Sequence, residues 1–383
     1  MKRIISSLLA GISVFAIPFF AQAQGSTINV VTSAVPFLRI SPDARAGGMG
    51  DLGVATSPDA NSQYYNVAKY TFANQPTGLG LTYTPWLKDL GLNDVYLASL
   101  AGYYQLDETQ AVSGSLRYFS LGNIQFTDNL GNDLNSFRPR EFAIDAGYSR
   151  KLSDNLSLGV ALRYINSNLA GGQAVNGVSY KAGNAVAGDI GLYYNGEGED
   201  GSGFSAGLAM TNLGSKISYT SDATQKDFIP ANFALGATYT MVNNEVNKLT
   251  FGVDIHKLMV PTPPALGDSA GLVNYRTKGV VGSWFSSFGD APGGGAEEMK
   301  EFSFSVGSEF TYNEQFSVRA GYFYENPTKG NRQYFSLGAG IKYSSFGVNL
   351  SYLIPSGSGV NRNPLSNTIR FSLLFDLGGG EEY

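Results

Sequence analysis

The chain has 383 residues and no cysteine, with 31 acidic against 26 basic residues for a formal net charge of −5. That balance, without a basic run anywhere, excludes a nucleic-acid surface. The missing cysteines exclude both a disulfide framework and a lipidated cysteine anchor.

Residues Met1 to Ala23 read as an export signal. Lys2 and Arg3 form the charged start, Ile4 to Phe20 the apolar stretch, and Ala21-Gln22-Ala23 a small-x-small cleavage site. Cleavage would leave Gln24 first. Beyond it there is no run of 18 apolar residues, so no helix is expected to span a bilayer. Residues Gln24 to Pro76 do not alternate and are rich in Gly, Pro, Asp and Asn. They are expected to form an irregular hatch packed inside or beneath the remainder of the chain.

From there the chain alternates. In Leu156, Leu158, Val160, Leu162 and Tyr164 one face is bulky, while Ser157, Gly159, Ala161, Arg163 and Ile165 make the other. Strands are predicted near 78–84, 94–104, 110–121, 139–150, 155–167, 184–195, 203–212, 230–241, 247–257, 301–312, 315–325, 333–343, 346–354 and 367–377. Most hold about the ~9–11 residues a tilted strand needs to cross a bilayer. Charges sort to one parity: Asp145, Arg163, Asp254, Arg319 and Arg370 fall opposite the apolar face. A cation on the lipid side at mid-bilayer costs roughly 2–4 kcal/mol, so this sorting points to lipid outside and a polar lumen inside. Val160→Arg should therefore hinder assembly, and Arg163→Ala should be tolerated. The strand at 94–104 has two similar faces.

The fold class expected is all-β: a 14-stranded antiparallel outer-membrane barrel over 77–383, behind a signal peptide (1–23) and an N-terminal hatch (24–76). Ser153-Asp154-Asn155, Tyr312-Asn313-Glu314 and Ser344-Ser345 read as tight periplasmic turns, whereas 122–138, 168–183, 213–229, 258–300 and 355–366 read as long outer links. Within the longest, Val280 to Phe288 could be a short helix or an extra strand; helix preserves an even strand number.

Chemistry-bearing constellations are sparse. Gly48-Met49-Gly50-Asp51-Leu52-Gly53 matches a dinucleotide pattern, but Pro42 and Asp43 precede it and no helix-period run comes after it. Its glycines suit close backbone packing in a confined lumen. His256 is the only histidine, so a zinc site would need carboxylates alone. With one histidine, a Ser–His–acid triad would have to use His256. Glu297-Glu298 and Glu381-Glu382 read as solvated charge. No enzyme activity, cofactor or metal is expected.

The stretch from Ile40 through Gly48-Met49-Gly50 and Asp59-Ala60 to Asn66-Val67-Ala68 resembles the N-terminal hatch of FadL-like outer-membrane proteins, with Val67 where their Asn-Pro-Ala box has proline. Ser41-Pro42-Asp43-Ala44-Arg45, the Asp290-Ala291-Pro292-Gly293-Gly294 loop, and Arg319-Ala320-Gly321-Tyr322-Phe323 with Lys329-Gly330-Asn331-Arg332 resemble the PorV-like branch of the type IX secretion system of Bacteroidetes. That resemblance implies a protein without enzymatic activity that receives cargo at the outer membrane by its C-terminal signal domain. It would then carry the cargo to the attachment complex. Implied partners are the giant translocon barrel, the sortase and other attachment-complex proteins, the cargo signal domains and outer-membrane lipid. A FadL-like transporter of hydrophobic small molecules such as long-chain fatty acids is the alternative, and an open porin ranks last. Candidate site residues are Asp43, Arg45, Asp59 and Asn66 as a hatch network, the five lumen-facing charges above, and Asp290, Pro292, Gly293 and Gly294 as an interaction loop.

Overall fold

Alternation of bulky and small residues over a dozen positions leaves a strand with one face that must avoid water and one that must avoid hydrocarbon. A closed ring satisfies both and leaves no backbone edge unpaired. The computed structural model describes residues 29–88, 91–127, 131–172, 174–175, 178–198, 200–222, 226–243, 246–264, 267–356 and 368–378. The expected export signal and the tail carboxylates Glu381 and Glu382 lie outside these residues.

Fourteen antiparallel strands close into a barrel, and the first, Thr77–Pro85, pairs with the last, Ile369–Leu377. Between them, in chain order, stand Val95–Asp107, Gln110–Leu121, Arg140–Lys151, Leu156–Asn168, Gly183–Glu197, Gly203–Gly214, Asn232–Asn243, Asn247–Leu258, Phe302–Tyr312, Phe316–Tyr324, Gln333–Tyr343 and Phe346–Pro355. Every predicted strand is present, displaced by no more than a few residues at its ends. Two long links carry hairpins that alternation did not reveal, Ile124–Thr127 with Asp133–Phe137 and Ala174–Val175 with Val178–Ser179. Val280–Ser286 is a helix, preceded by a second helix at Ser269–Thr277.

Parity holds where it was read. Leu162 is 71% exposed and Val160 faces the same way, while Ser157, Arg163 and Asp145 are buried. The strand Val95–Asp107 turns Val95, Leu97 and Tyr103 inward, against apolar residues of the N-terminal segment. Its two faces look alike because both meet apolar surroundings. Short turns gather at one end of the barrel, with Asn313, Glu314 and Ser344 at positive φ in two of them. Gly378 lies against Pro76 at this end too, so the strand-bearing chain begins and finishes there. The long links gather at the other end.

Val160→Arg should lower the assembled fraction, read as the heat-modifiable band on unboiled gels, because the arginine would sit on the hydrocarbon-facing wall at a cost of ~2–4 kcal/mol. Wild-type levels of that band would show that Val160 does not face lipid.

Candidate functional site

The segment before the first strand threads the barrel. At the long-loop end Asn29 N donates to Thr328 O (3.2 Å) and Ala34 N to Phe228 O (2.8 Å). At the short-turn end Gln105 Nε2 donates to Tyr70 O (3.1 Å) and Ala73 O (3.0 Å). Between these points the segment passes three kinds of lining.

Nearest the long loops is an apolar layer. Val35, Phe37 and Leu38 pack on Val95, Leu97, Phe119 and Ile165, which point into the lumen. Burying such side chains is worth roughly 1.5–3 kcal/mol each, so the segment is held here by apolar contact rather than charge.

The middle layer depends on glycine. Gly50 sits at φ +73° with its backbone against that of Tyr322, where an L side chain would be strained and blocked. A methyl group at Gly321 would collide with the Met49 carbonyl carbon. With side chains removed from both surfaces, backbone donors reach the wall. Gly50 N donates to Ser336 Oγ (2.8 Å), and Gly53 N and Val54 N donate to Asp254 Oδ2 at 2.7 and 2.9 Å. Asp51 pairs with Arg370 and accepts from Tyr334 Oη at 2.5 Å. The glycine-rich motif thus serves close approach in the lumen.

The third layer is ionic. Asp43 caps the turn Ala44–Gly47, accepting from Arg45 N and Ala46 N at 3.0 Å each and from Asn61 Nδ2 at 3.1 Å. Arg45 donates to both oxygens of Glu309 (3.0 and 2.8 Å), to Asp59 (3.1 Å) and to Ser57. Glu309 also accepts from Arg319 Nε (2.5 Å), whose Nη1 reaches Asn349 (2.8 Å). Two guanidiniums on one carboxylate make this a charge-assisted clamp between segment and wall.

Of the expected hatch network, Arg45 meets Asp59 directly and Asp43 through its backbone amide, and Asn61 bridges the two aspartates. Asn66 stands apart: its Oδ1 accepts from Ala68 N and its Nδ2 donates to Val54 O and to Leu192 O on the wall. Asp145 and Arg163 form a separate wall cluster. Arg163 pairs with Asp145 and Asp189 and donates to Asn212, and Arg117 lies 3.4 Å from Asp145. This changes the expectation for Arg163→Ala. The guanidinium is fully surrounded, not a free lining charge, and its removal takes the cation from buried Asp189 and one of two from buried Asp145.

The expected interaction loop lies away from the lumen, among the long links. Asp290 accepts from Thr262 N (3.2 Å) and Oγ1 (3.0 Å) and lies 3.7 Å from Lys278. Pro292, Gly293 and Gly294 are exposed, and Gly293 N donates to Glu297 (2.7 Å). Glu297 and Glu298 are not solvated charge. Glu298 is buried 2.6 Å from Lys257, and Lys329 stands 2.6 Å from Glu297 and 2.9 Å from Glu301, which in turn lies 2.7 Å from Lys257. The Lys329 ammonium, hydrogen-bonded to it, holds the Glu297 carboxyl below its ordinary range. This five-member cluster was not expected, because its members come from a strand end and two separate links and share no period. Asp51 and Lys69 were also missed. Buried Lys69 donates to Gly53 O (2.9 Å) and Thr56 Oγ1 (3.0 Å), inside a stretch with no alternation to read. The inward parity of Glu309 was legible.

Cavities lie beside the threaded segment. One of about 90 Å³ is lined by Arg39, Arg117, Arg163, Arg332, Tyr64 and His256. A second, of about 370 Å³, has Phe37, Ile40, Trp86 and Phe119 on one side and Arg332 and Arg370 on the other. His256 is a lining residue, 4.0 Å from Asp254.

Residues 22–265 match the family described as Type IX secretion system protein PorV. Among solved structures the chain is similar to the toluene transporter TbuX of Ralstonia pickettii, at 12% identity and a TM-score of 0.53, with 88% of this chain and 97% of that one covered. It is also similar to the toluene transporter TodX of Pseudomonas putida, at 13% identity and a TM-score of 0.51, with 91% and 98% covered. At these identities the likeness is one of fold. No curated protein sequence matches.

Two substitutions probe the lumen. Arg163→Ala should destabilise by ~3–5 kcal/mol, read as a lower unfolding midpoint in detergent, and adding Asp189→Asn should recover part of the loss. An unchanged midpoint in the single variant would show the cluster carries no energy. Gly321→Val should push the 48–50 backbone off the wall and raise single-channel conductance in planar bilayers above wild type. Unchanged conductance from a well-assembled variant would show that this contact does not seal the lumen.

Proposed function

Because the chain belongs to the PorV family of type IX secretion system proteins and folds as an outer-membrane barrel, we propose that it is a cargo-binding shuttle of that system. In this reading it takes up secreted proteins by their C-terminal signal domains at the giant translocon barrel. It then delivers them to the sortase-bearing attachment complex. The segment 24–76 acts as a hatch that keeps the lumen closed while cargo is handled outside it.

The observation that carries the reading, beside family membership, is the division of the molecule. The lumen is crossed by a segment tied to the wall by Asp51–Arg370, Arg45–Glu309 and Asp254. The long links are instead held in shape by the Lys257 and Lys329 ion pairs. A filled lumen suits a protein that works at its rim. Ordered loops of mixed apolar and Gly-rich character can offer pockets and backbone edges to an incoming β-domain. One observation favours the alternative of a transporter for hydrophobic small molecules: the 370 Å³ pocket beside Phe37 and Trp86.

A pull-down separates the two. Detergent-solubilised wild type should retain proteins bearing a C-terminal β-sandwich signal domain, and Glu301→Ala, which takes from Lys257 and Lys329 the one carboxylate they share, should retain less at unchanged barrel stability. A deletion strain that exports those proteins normally but fails to take up long-chain fatty acids would overturn the shuttle reading.

A further inference from the structure

The link between Asn247–Leu258 and Phe302–Tyr312 folds over the barrel rim. Lys257 continues the outward parity of Phe251, Val253 and Ile255, a position that elsewhere on the barrel meets hydrocarbon. Here it is buried, capped by Glu298 and Glu301 of the link. Its ammonium lies 5.5 Å from the centroid of the Phe288 ring and 5.7 Å from that of Phe302. Phe288 also meets Phe233 edge-on at 5.7 Å. Phe233 shares the outward parity of Leu235, Tyr239 and Met241 and pairs in register with Lys257. The stretch around Phe288 therefore lies against the outside of the wall, above the exposed belt of these strands, while Tyr275 earlier in the link packs on Val31 of the threaded segment.

The short helix Val280–Ser286 in this link is inside out for a water-facing element. Ser283 and Ser287 are buried, their hydroxyls donating to Gly279 O and Trp284 O at 2.8 Å each. Val281 and Phe285, one helical turn apart, point away from the protein at 60% and 67% exposure, and Phe288 beyond them rests on Phe233. Trp284 is half-buried at the edge of this face, and Val280 packs inward on Phe228, Val260 and Tyr275. Two serines thus face the protein while Val281 and Phe285 face outward, and their face runs through Phe288 and Phe233 into the apolar belt.

We propose that the 280–288 stretch is a membrane-seated lip, with Val281 and Phe285 immersed at the boundary between headgroups and acyl chains of the outer leaflet and Trp284 and Phe288 at the edge of the immersed face. The occupant is lipid because the apolar face is continuous with the lipid-facing wall. An apolar stripe carrying tryptophan at the end of a transmembrane strand suits the interfacial zone. The same side chains in water would form an exposed patch that soluble surfaces avoid. The lip would fix one side of the rim to the bilayer. The inference does not depend on the cargo-shuttle reading.

The chain has only two tryptophans, Trp86 and Trp284, so the emission lost in Trp284→Phe isolates Trp284. The full-length protein is reconstituted in phosphatidylcholine bilayers with and without acyl-chain-brominated lipid. Leu162→Trp, on the exposed belt, is the reference for full lipid contact. The expected result is that brominated lipid quenches the Trp284 component to an extent comparable with the Leu162→Trp component, while aqueous iodide quenches it little. A Trp284 component untouched by brominated lipid but quenched by iodide would overturn the proposal and leave the face to a protein partner. Should Trp284→Phe assemble poorly, a bilayer-quenched environment-sensitive fluorophore on Phe285→Cys, in this cysteine-free chain, gives the same two outcomes.

Discussion

Hydrocarbon tolerates no unpaired backbone polar group and few charges, and the rest of the molecule obeys that constraint. It demands a closed ring, which it obtains by pairing Thr77–Pro85 with Ile369–Leu377. It also drives every strand charge at mid-wall to the inner parity. The lumen thereby acquires Arg117, Asp145, Arg163, Asp189, Asp254, Glu309, Arg319 and Arg370, packed too tightly to be left to water. Partners have to be found inside. Some come from the wall itself, as in the Arg163 cluster, and the rest come from the threaded N-terminal segment, as with Asp51 and Arg45.

The segment and the wall are fitted by subtraction as much as by attraction. Gly48 faces Gly338, and Gly307 and Gly321 face Met49, so that backbone can lie on backbone. Only with that approach do the amides of residues 50, 53 and 54 reach Ser336 and Asp254. The apolar layer around Phe37 supplies burial that the ionic layers, which must overcome desolvation, do not supply cheaply.

The barrel was legible because lipid imposes a period-two rule on every strand, and Arg163 or Asp254 could be placed inward from parity alone. The rule fails where its premise fails. Val95–Asp107 shows no contrast because Leu97 meets Phe37 in an apolar lumen layer. Lys257 breaks outward parity because the link covers it with Glu298 and Glu301. The N-terminal segment was distinguishable from the strands by its glycines and lack of alternation, but its pairings were not. Asp51 with Arg370 spans almost the whole chain, and nothing local at Asp51 announces a partner so distant. A helix within 280–288 was legible from the need for an even strand number, and Val280–Ser286 is one, whereas the helix Ser269–Thr277 before it was not read.

The Asp51–Arg370 pair has a consequence for biogenesis. Arg370 belongs to the final strand, which zips against the first, and its carboxylate partner sits on the thread that must already lie within the ring. A seam cannot be sealed around an absent occupant and then admit it sideways. The pair therefore exists only once the closing strand and the thread are both in place, and it closes a loop that spans most of the chain.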